Sequence, residues 1–144
     1  MEIMKAFIGE AYKNKVPIKV FNGNFTEQSG HDIARTIIKI DDLPEAVFCA
    51  NDQMAIGFIK AMKENNLQAP ENIAVVGFDD IPIAQYMQPS LTTIGASRFL
   101  WGSSAATQLI DFLEKEKPFH LDRIPTRLIQ RESSAKNHYM LSLR

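Results

Sequence analysis

The sequence predicts an α/β fold in which a parallel sheet is flanked by helices. Short apolar runs alternate along the chain with segments of helical periodicity, and parallel strands need such helical crossovers between them. The chain has 144 residues, of which 45% are hydrophobic. This is enough for one domain with its own core, since domains most often hold about 100 to 150 residues.

The first third of the chain predicts two helices around one strand. Residues 2–13 carry apolar side chains at helical spacing and form the first helix. Residues 17–23 follow as a short strand. The second helix covers residues 29–40, where Ser29 with Asp32 three positions later resembles a capping box.

The remainder continues the alternation. Two buried strands, 45–50 and 72–79, enclose a helix that Asn51 or Asp52 caps. A brief strand at residues 91–96 is followed by a helix at 103–117. A strand-like run at 123–132 leads into a polar tail at 136–144.

Charge and cysteine content exclude several classes of protein. The net charge is −1 and the pI is near 6.3, so the chain lacks the broad positive field that favours nucleic acid or an anionic membrane. Cys49, the single cysteine, cannot form an internal disulfide. Because no signal peptide opens the sequence, a cytoplasmic protein is expected. Cys49 is predicted to be a buried strand residue and not a nucleophile.

Polar or aromatic residues gather where the predicted strands end, and this is where open parallel α/β sheets bind ligands. The three ends carry Asn24 and Phe25, Asn51 and Asp52, and Asp79 and Asp80.

These residues do not carry equal weight. Asp52 and Asp80 are interpreted as structural, since aspartate is common at helix caps and turns. Asp79 directly follows a buried strand, where a carboxylate needs a partner or a ligand hydroxyl. Phe25 lies in a polar loop and is either a core residue or a face that stacks on a sugar ring or a planar base.

Two functions fit this group of residues. Asp52, Asp79 and Asp80 could hold Mg²⁺ for phosphoryl transfer. Alternatively, Asn51 and Asp79 could bind a hydroxyl-rich small molecule over an aromatic floor. Neither GxxxxGK[ST] nor GxGxxG occurs, so binding is favoured. A protein without catalytic residues, metal or cofactor is therefore expected.

Four segments, in this order and spacing, resemble the lactose-repressor/galactose-repressor family of bacterial transcription regulators: NFTEQSG, AVFCANDQMAIGFIKAMKENNLQAPENIAVVGFDD, YMQPSLTTI and LIQRESSA. The resemblance implies the C-terminal subdomain of a type I periplasmic-binding-protein-like fold, truncated and incomplete. Residues 1–135 would form part of the effector-binding domain, followed by the polar tail 136–144. A periplasmic-type sugar-binding protein is the alternative that shares this fold.

The resemblance also implies a ligand and partners. A sugar, nucleoside or related metabolite would bind in a cleft between two subdomains, with Phe25 as the ring floor, Asn51 and Asp79 as polar anchors and Arg98 as a further contact. It implies a homodimer formed through the core. Contact with DNA would require a helix-turn-helix, and nothing in this chain resembles one.

Two helices carry expectations about assembly. In the family, the helix at residues 97–116 packs on the other subdomain, so its apolar face would lack cover in this chain. We expect self-association, refolding of this helix onto its own sheet, or marginal stability. The apolar residues of the helix after Asn51 spread over more than one face, and a face for the sheet uses only part of them. The remainder resembles the family's dimer helix, so a dimer interface is favoured over a helix that is simply well buried. These apolar residues are Met54, Ile56, Phe58, Ile59 and Met62.

Overall fold

The computed structural model describes residues 2–120 and 123–135, which form one four-stranded sheet with helices. The strands are β1 Ala46–Phe48, β2 Ala74–Phe78, β3 Thr92–Ala96 and β4 Thr126–Ile129. The helices are α1 Glu2–Lys13, α2 Glu27–Ile37, α3 Asp52–Glu64 and α4 Arg98–Lys115, with short 3-10 turns at Pro82–Tyr86 and Glu132–Ser134.

The sheet has the order β1-β2-β3-β4 and is mostly parallel. β2 pairs parallel with both β1 and β3, whereas β4 pairs antiparallel with β3. The predicted α/β class is therefore confirmed, with one strand reversed. A parallel crossover requires a helix that runs back across the sheet, and α4, which connects β3 to β4, buries none of its residues.

The strand predicted at residues 17–23 is wrong. These residues lie in a segment without regular structure, and within the described residues β1 pairs with β2 alone. A strand is stable only when a neighbour completes its hydrogen bonds. Phe21 still packs partly against the core, so the apolar residues of this segment contribute to packing without joining the sheet.

The predicted N-cap of α2 is wrong, and that of α3 is correct. The Thr26 side chain accepts a hydrogen bond from the Ser29 backbone N–H at 3.1 Å, so α2 begins before the predicted cap Ser29. The Ser29 hydroxyl instead accepts from the Asn24 N–H at 3.0 Å. Asn51 caps α3 as predicted, because its Oδ1 accepts from the Met54 N–H at 2.9 Å.

The hydrophobic core is centred on α3, which packs against the sheet on one side and against α2 on the other. The two helices touch along their backbones. A Cβ atom on Gly57 would overlap the Glu27 carbonyl, and one on Gly30 would overlap the Met54 carbonyl. Glycine is therefore required at both positions for this close approach.

Of the five apolar residues of α3, part of which was predicted to face a dimer partner, four are covered by the chain itself. Met54, Phe58, Ile59 and Met62 are 8%, 1%, 2% and 0% exposed within the chain itself. Only Ile56 is half-buried at the surface. The alternative of a well-buried helix is correct for these four residues, because the sheet and α2 pack against α3 from two sides, while Gln53 and Lys60 stay exposed.

The long helix α4 exposes its apolar side chains. Phe99 is 81% exposed, Leu113 69% and Trp101 50%, and no residue of the helix is buried. The expectation that it folds onto its own sheet is therefore wrong. The predicted polar tail, 136–144, lies outside the described residues. Among the helices that the structure describes, none combines the length and the hydrophobicity of a membrane span.

Candidate functional site

Asn51 connects the start of α3 to the loop that carries Phe25. While its Oδ1 caps the helix, its Nδ2 donates a hydrogen bond to the Phe25 carbonyl at 2.9 Å. Phe25 has a positive φ of 67°, a conformation that residues with a side chain rarely adopt. The residue is 47% exposed. The Phe25 ring is thus presented at the surface next to the exit of β1, and it is not a core residue.

Asp79 lies where β2 leaves the sheet. Its N–H donates to the Ile94 carbonyl of β3 at 2.8 Å, and its φ of 114° turns the chain away from the strand. In the described part of the chain, no hydrogen bond reaches its carboxylate. Partial burial raises the pKa of Asp79, and the nearby positive charge of Arg98 opposes that rise. The Asp79 carboxylate is therefore an available hydrogen-bond acceptor.

Arg98 begins α4 on the same edge of the sheet. Its Nη2 donates to the backbone carbonyls of Asp79 at 3.2 Å and of Asp80 at 2.6 Å. Arg98 thus holds the backbone of the β2 exit. A guanidinium carries five N–H donors, so this exposed side chain has others that can reach a ligand.

Asp80 and Asp52 are structural, as interpreted from the sequence, although neither caps a helix. The Asp80 carboxylate pairs with Arg131 Nη2 at 2.8 Å. Asp52 is fully buried and accepts from the Ile81 N–H at 2.9 Å and from the Thr93 hydroxyl at 2.5 Å. Burial is the main cause that raises the pKa of Asp52.

This arrangement disfavours the magnesium hypothesis. Both oxygens of Asp52 and one oxygen of Asp80 already have protein donors. Among residues 2–120 and 123–135, no group of three His, Cys, Asp or Glu side chains could hold a metal ion. A nucleophilic role for Cys49 is equally disfavoured, because burial raises the pKa of its thiol to about 12.

The structure brings the four predicted site residues together in two pairs. Phe25 and Asn51 form one pair, and Asp79 and Arg98 form the other. Both lie at the carboxyl ends of the strands, where ligands of open α/β sheets bind. The Ile81 N–H, two residues after Asp79, donates to Asp52 Oδ2 at 2.9 Å, and Asp52 directly follows Asn51, so this hydrogen bond links the segments that carry the two pairs.

Two residues that support the site were missed by sequence reasoning. Arg131 holds Asp80, and it also donates from Nη1 to the Leu91 carbonyl at 2.8 Å. Thr93 holds Asp52. Both fall within segments that carry the family resemblance, LIQRESSA and YMQPSLTTI, and that was the only available signal for them.

Comparison with known proteins gives a family match over almost the whole described chain. A family model described as a periplasmic binding protein-like domain matches residues 2–134. The HTH-type transcriptional repressor PurR of Photorhabdus laumondii is 34% identical to this chain over 133 residues. That match covers 90% of this chain and 39% of the repressor, so the chain spans about two fifths of this curated relative.

Solved structures share the fold. A LacI family transcriptional regulator from Enterococcus faecium with bound ribose superposes with a TM-score of 0.83 at 28% identity, covering 92% of this chain and 50% of that chain. The lac repressor dimer bound to operator and the anti-inducer ONPF gives a TM-score of 0.84 at 26% identity, covering 92% and 47%.

Proposed function

The chain belongs to the periplasmic binding protein-like domain family, and from this membership we propose that it forms one wall of the effector-binding cleft of a bacterial transcriptional regulator. The effector would be a small hydroxyl-rich molecule of the sugar or nucleoside class. The observation that carries the proposal is an exposed aromatic residue beside one strand end and, at the next, a carboxylate that accepts no hydrogen bond from the described residues. No step of chemistry is assigned to the chain.

Each of the four residues has a distinct part in the proposed binding. The exposed face of Phe25 stacks on the C–H face of a sugar or on a base. The Asp79 carboxylate accepts hydrogen bonds from ligand hydroxyls, and its partial desolvation strengthens them. Asn51 sets the position of Phe25 through its hydrogen bond to the Phe25 carbonyl. Arg98 fixes the Asp79 backbone and offers its other N–H groups to the ligand.

The proposed mechanism is a population shift. A ligand held between two subdomains favours one closure state, which changes the presentation of DNA-binding heads in the whole protein. In support, the related regulator from Enterococcus faecium was solved with ribose and the lac repressor as a dimer on its operator. DNA contact would come from a helix-turn-helix outside the matched region. We propose that the intact protein is cytoplasmic, because bacterial DNA lies in the cytoplasm. We also propose that it is a homodimer.

Calorimetric titration of the full chain tests this function. Ribose and adenosine represent the two ligand classes, and the variants are Phe25→Ala and Asp79→Asn. We expect one ligand to bind the unsubstituted chain. Asp79→Asn should weaken that binding by about tenfold or more, since loss of a hydrogen bond to a charged group corresponds to that ratio. Phe25→Ala should weaken it by a similar factor, since stacking on an aromatic ring contributes about 1–3 kcal/mol.

Tyr86→Ala is the matched control, because Tyr86 is a still more exposed aromatic residue, on the 3-10 turn Pro82–Tyr86. It should bind like the unsubstituted chain. Addition of Mg²⁺ should leave the titration unchanged. If Phe25→Ala and Asp79→Asn bind as well as the Tyr86 control, the proposed site is wrong.

A further inference from the structure

The loop that carries Asp79 has an unusual backbone. Asp79 and Asp80 have φ values of 114° and 48°, and both are residues with a side chain in the region that glycine favours. Two such residues in succession persist only where surrounding contacts over-determine the conformation. The contacts that hold this loop therefore decide where the Asp79 carboxylate lies.

A buried carboxylate makes the central contact. Asp52, the first residue of α3, is 0% exposed, and its Oδ2 accepts from the Ile81 N–H at 2.9 Å. Its Oδ1 accepts from the Thr93 hydroxyl of β3 at 2.5 Å. One side chain thus ties a helix, a strand and the loop together.

Thr93 extends the same contact to the preceding peptide. Its hydroxyl oxygen, also fully buried, lies 3.4 Å from the Asp80 N–H, which donates to it. The chain must leave room for this arrangement, because a Cβ atom on Gly77 would overlap the Asp52 Oδ1. Asp52 and Thr93 together therefore satisfy two consecutive N–H groups of the loop, those of Asp80 and Ile81.

We propose that Asp52 and Thr93 are a pair of positioning residues that hold the loop from Asp79 to Ile81 in the conformation that presents the Asp79 carboxylate to the effector. The part of this proposal that concerns ligand binding rests on the proposed function. The two arginines hold the loop at other atoms: Arg98 at the Asp79 and Asp80 carbonyls, and Arg131 at the Asp80 carboxylate. The N–H groups of Asp80 and Ile81 are held by Thr93 and Asp52.

Amide hydrogen exchange of the full chain, followed by NMR without ligand, tests the role directly. Thr93→Val removes the hydroxyl with little change of shape, whereas Thr93→Ser keeps it. We expect exchange at the Asp80 amide to accelerate by about threefold to tenfold in Thr93→Val, the ratio that corresponds to a lost hydrogen bond to a neutral hydroxyl. Exchange at the Ile81 amide should also accelerate, because its acceptor Asp52 loses the hydroxyl that holds it. Thr93→Ser should restore slow exchange.

Asp52→Asn is the second variant. An asparagine offers one oxygen acceptor where Asp52 uses two, so exchange should also accelerate at this loop. Ser133→Ala is the control for general destabilisation. Ser133 is buried and bonds to Val75 and Thr92 without touching the loop. It should lower the unfolding temperature without a selective effect on residues 80 and 81.

The exchange rates decide the inference in either direction. Selective acceleration in Thr93→Val and Asp52→Asn, with recovery in Thr93→Ser, supports the positioning role. Equal exchange in Thr93→Val, Thr93→Ser and Ser133→Ala overturns it. A ribose or adenosine titration of the same variants is a separate readout: if the unsubstituted chain binds neither, the proposed function loses support, while the exchange rates still decide the role of the pair.

Discussion

Asn51 uses both ends of one side chain, because its oxygen caps α3 and its nitrogen holds the Phe25 loop. Asn51→Ala should lower the free energy of unfolding by about 0.5–2 kcal/mol, the usual effect of losing an N-cap. Asn51→Ser should recover most of this stability, since serine caps well, yet it lacks the amide NH₂ group that donates to the Phe25 carbonyl. Urea denaturation measures both variants. Equal destabilisation of the serine and alanine variants would show that the cap is not the main contribution.

Asp52 should make stability depend on pH in an unusual direction. Burial raises its pKa above the ordinary 3.8, so the folded chain binds this proton more tightly than the unfolded chain. Its contribution to stability is therefore fully present below pH 3.8 and is lost as pH rises through the raised folded pKa.

Asp52→Asn removes this titration. We expect the unfolding free energy of the unsubstituted chain, relative to that of Asp52→Asn, to fall as pH rises through this window. Urea denaturation of both chains at a series of pH values gives the difference, in which other carboxylates, such as the Glu132 that accepts from Ser90, cancel. A difference that stays constant with pH would contradict the raised pKa.

Part of the site could be predicted from single residues. Asn51 is an N-cap by its position before an apolar helix, and Asp79 follows an apolar strand. The supporting bonds could not be predicted this way. Thr93 meets Asp52 across 41 positions and Arg131 meets Asp80 across 51, and local periodicity contains no information about such pairs.

Among the elements, the contact between α2 and α3 is the most sensitive to a small change. Gly57→Ala would favour the helix by about 1 kcal/mol from propensity alone, but its Cβ would overlap the Glu27 carbonyl, a backbone atom that cannot turn away. We therefore expect net destabilisation and a lower unfolding temperature.

Gly102→Ala is the matched control for this substitution. Gly102 lies in α4 and has nothing within 4 Å of an added Cβ. The control should be neutral or slightly stabilising, because only the propensity gain remains. If Gly57→Ala is as stable as Gly102→Ala in a thermal melt, the two helices do not lie as close as described.

Elements with a strong period were predictable, and pairing was not. α1 occupies the predicted residues 2–13, and β2 lies within the predicted apolar run. The strand predicted at 17–23 has the right composition but no neighbour among the described residues. The antiparallel direction of β4 depends on the path that α4 takes between β3 and β4. The apolar pattern of β4 predicts a strand but does not predict its direction.

At the scale of the whole molecule, α4 has an apolar surface that the described part of the chain leaves exposed. The family resemblance predicted this, and the exposed Phe99, Trp101 and Leu113 confirm that the surface is open. Because burial of each such side chain stabilises by about 1.5–3 kcal/mol, we expect the isolated chain to self-associate through it.

Sedimentation at several protein concentrations measures this association. The double variant Phe99→Ser with Leu113→Gln should shift the chain toward monomer. Tyr86→Ser is the control, because Tyr86 is 75% exposed on the 3-10 turn Pro82–Tyr86 and lies off α4. A chain that is already monomeric at all concentrations would contradict the expectation.

The central claim is that the strand ends of this chain form a ligand-binding wall. Thermal unfolding followed by circular dichroism, alone and with millimolar pools of sugars or nucleosides, tests it most directly, because a ligand selective for the folded state must raise the unfolding temperature. The account predicts a cooperative melt that one pool raises in the unsubstituted chain and not in Phe25→Ala. A broad melt that no pool changes would contradict it.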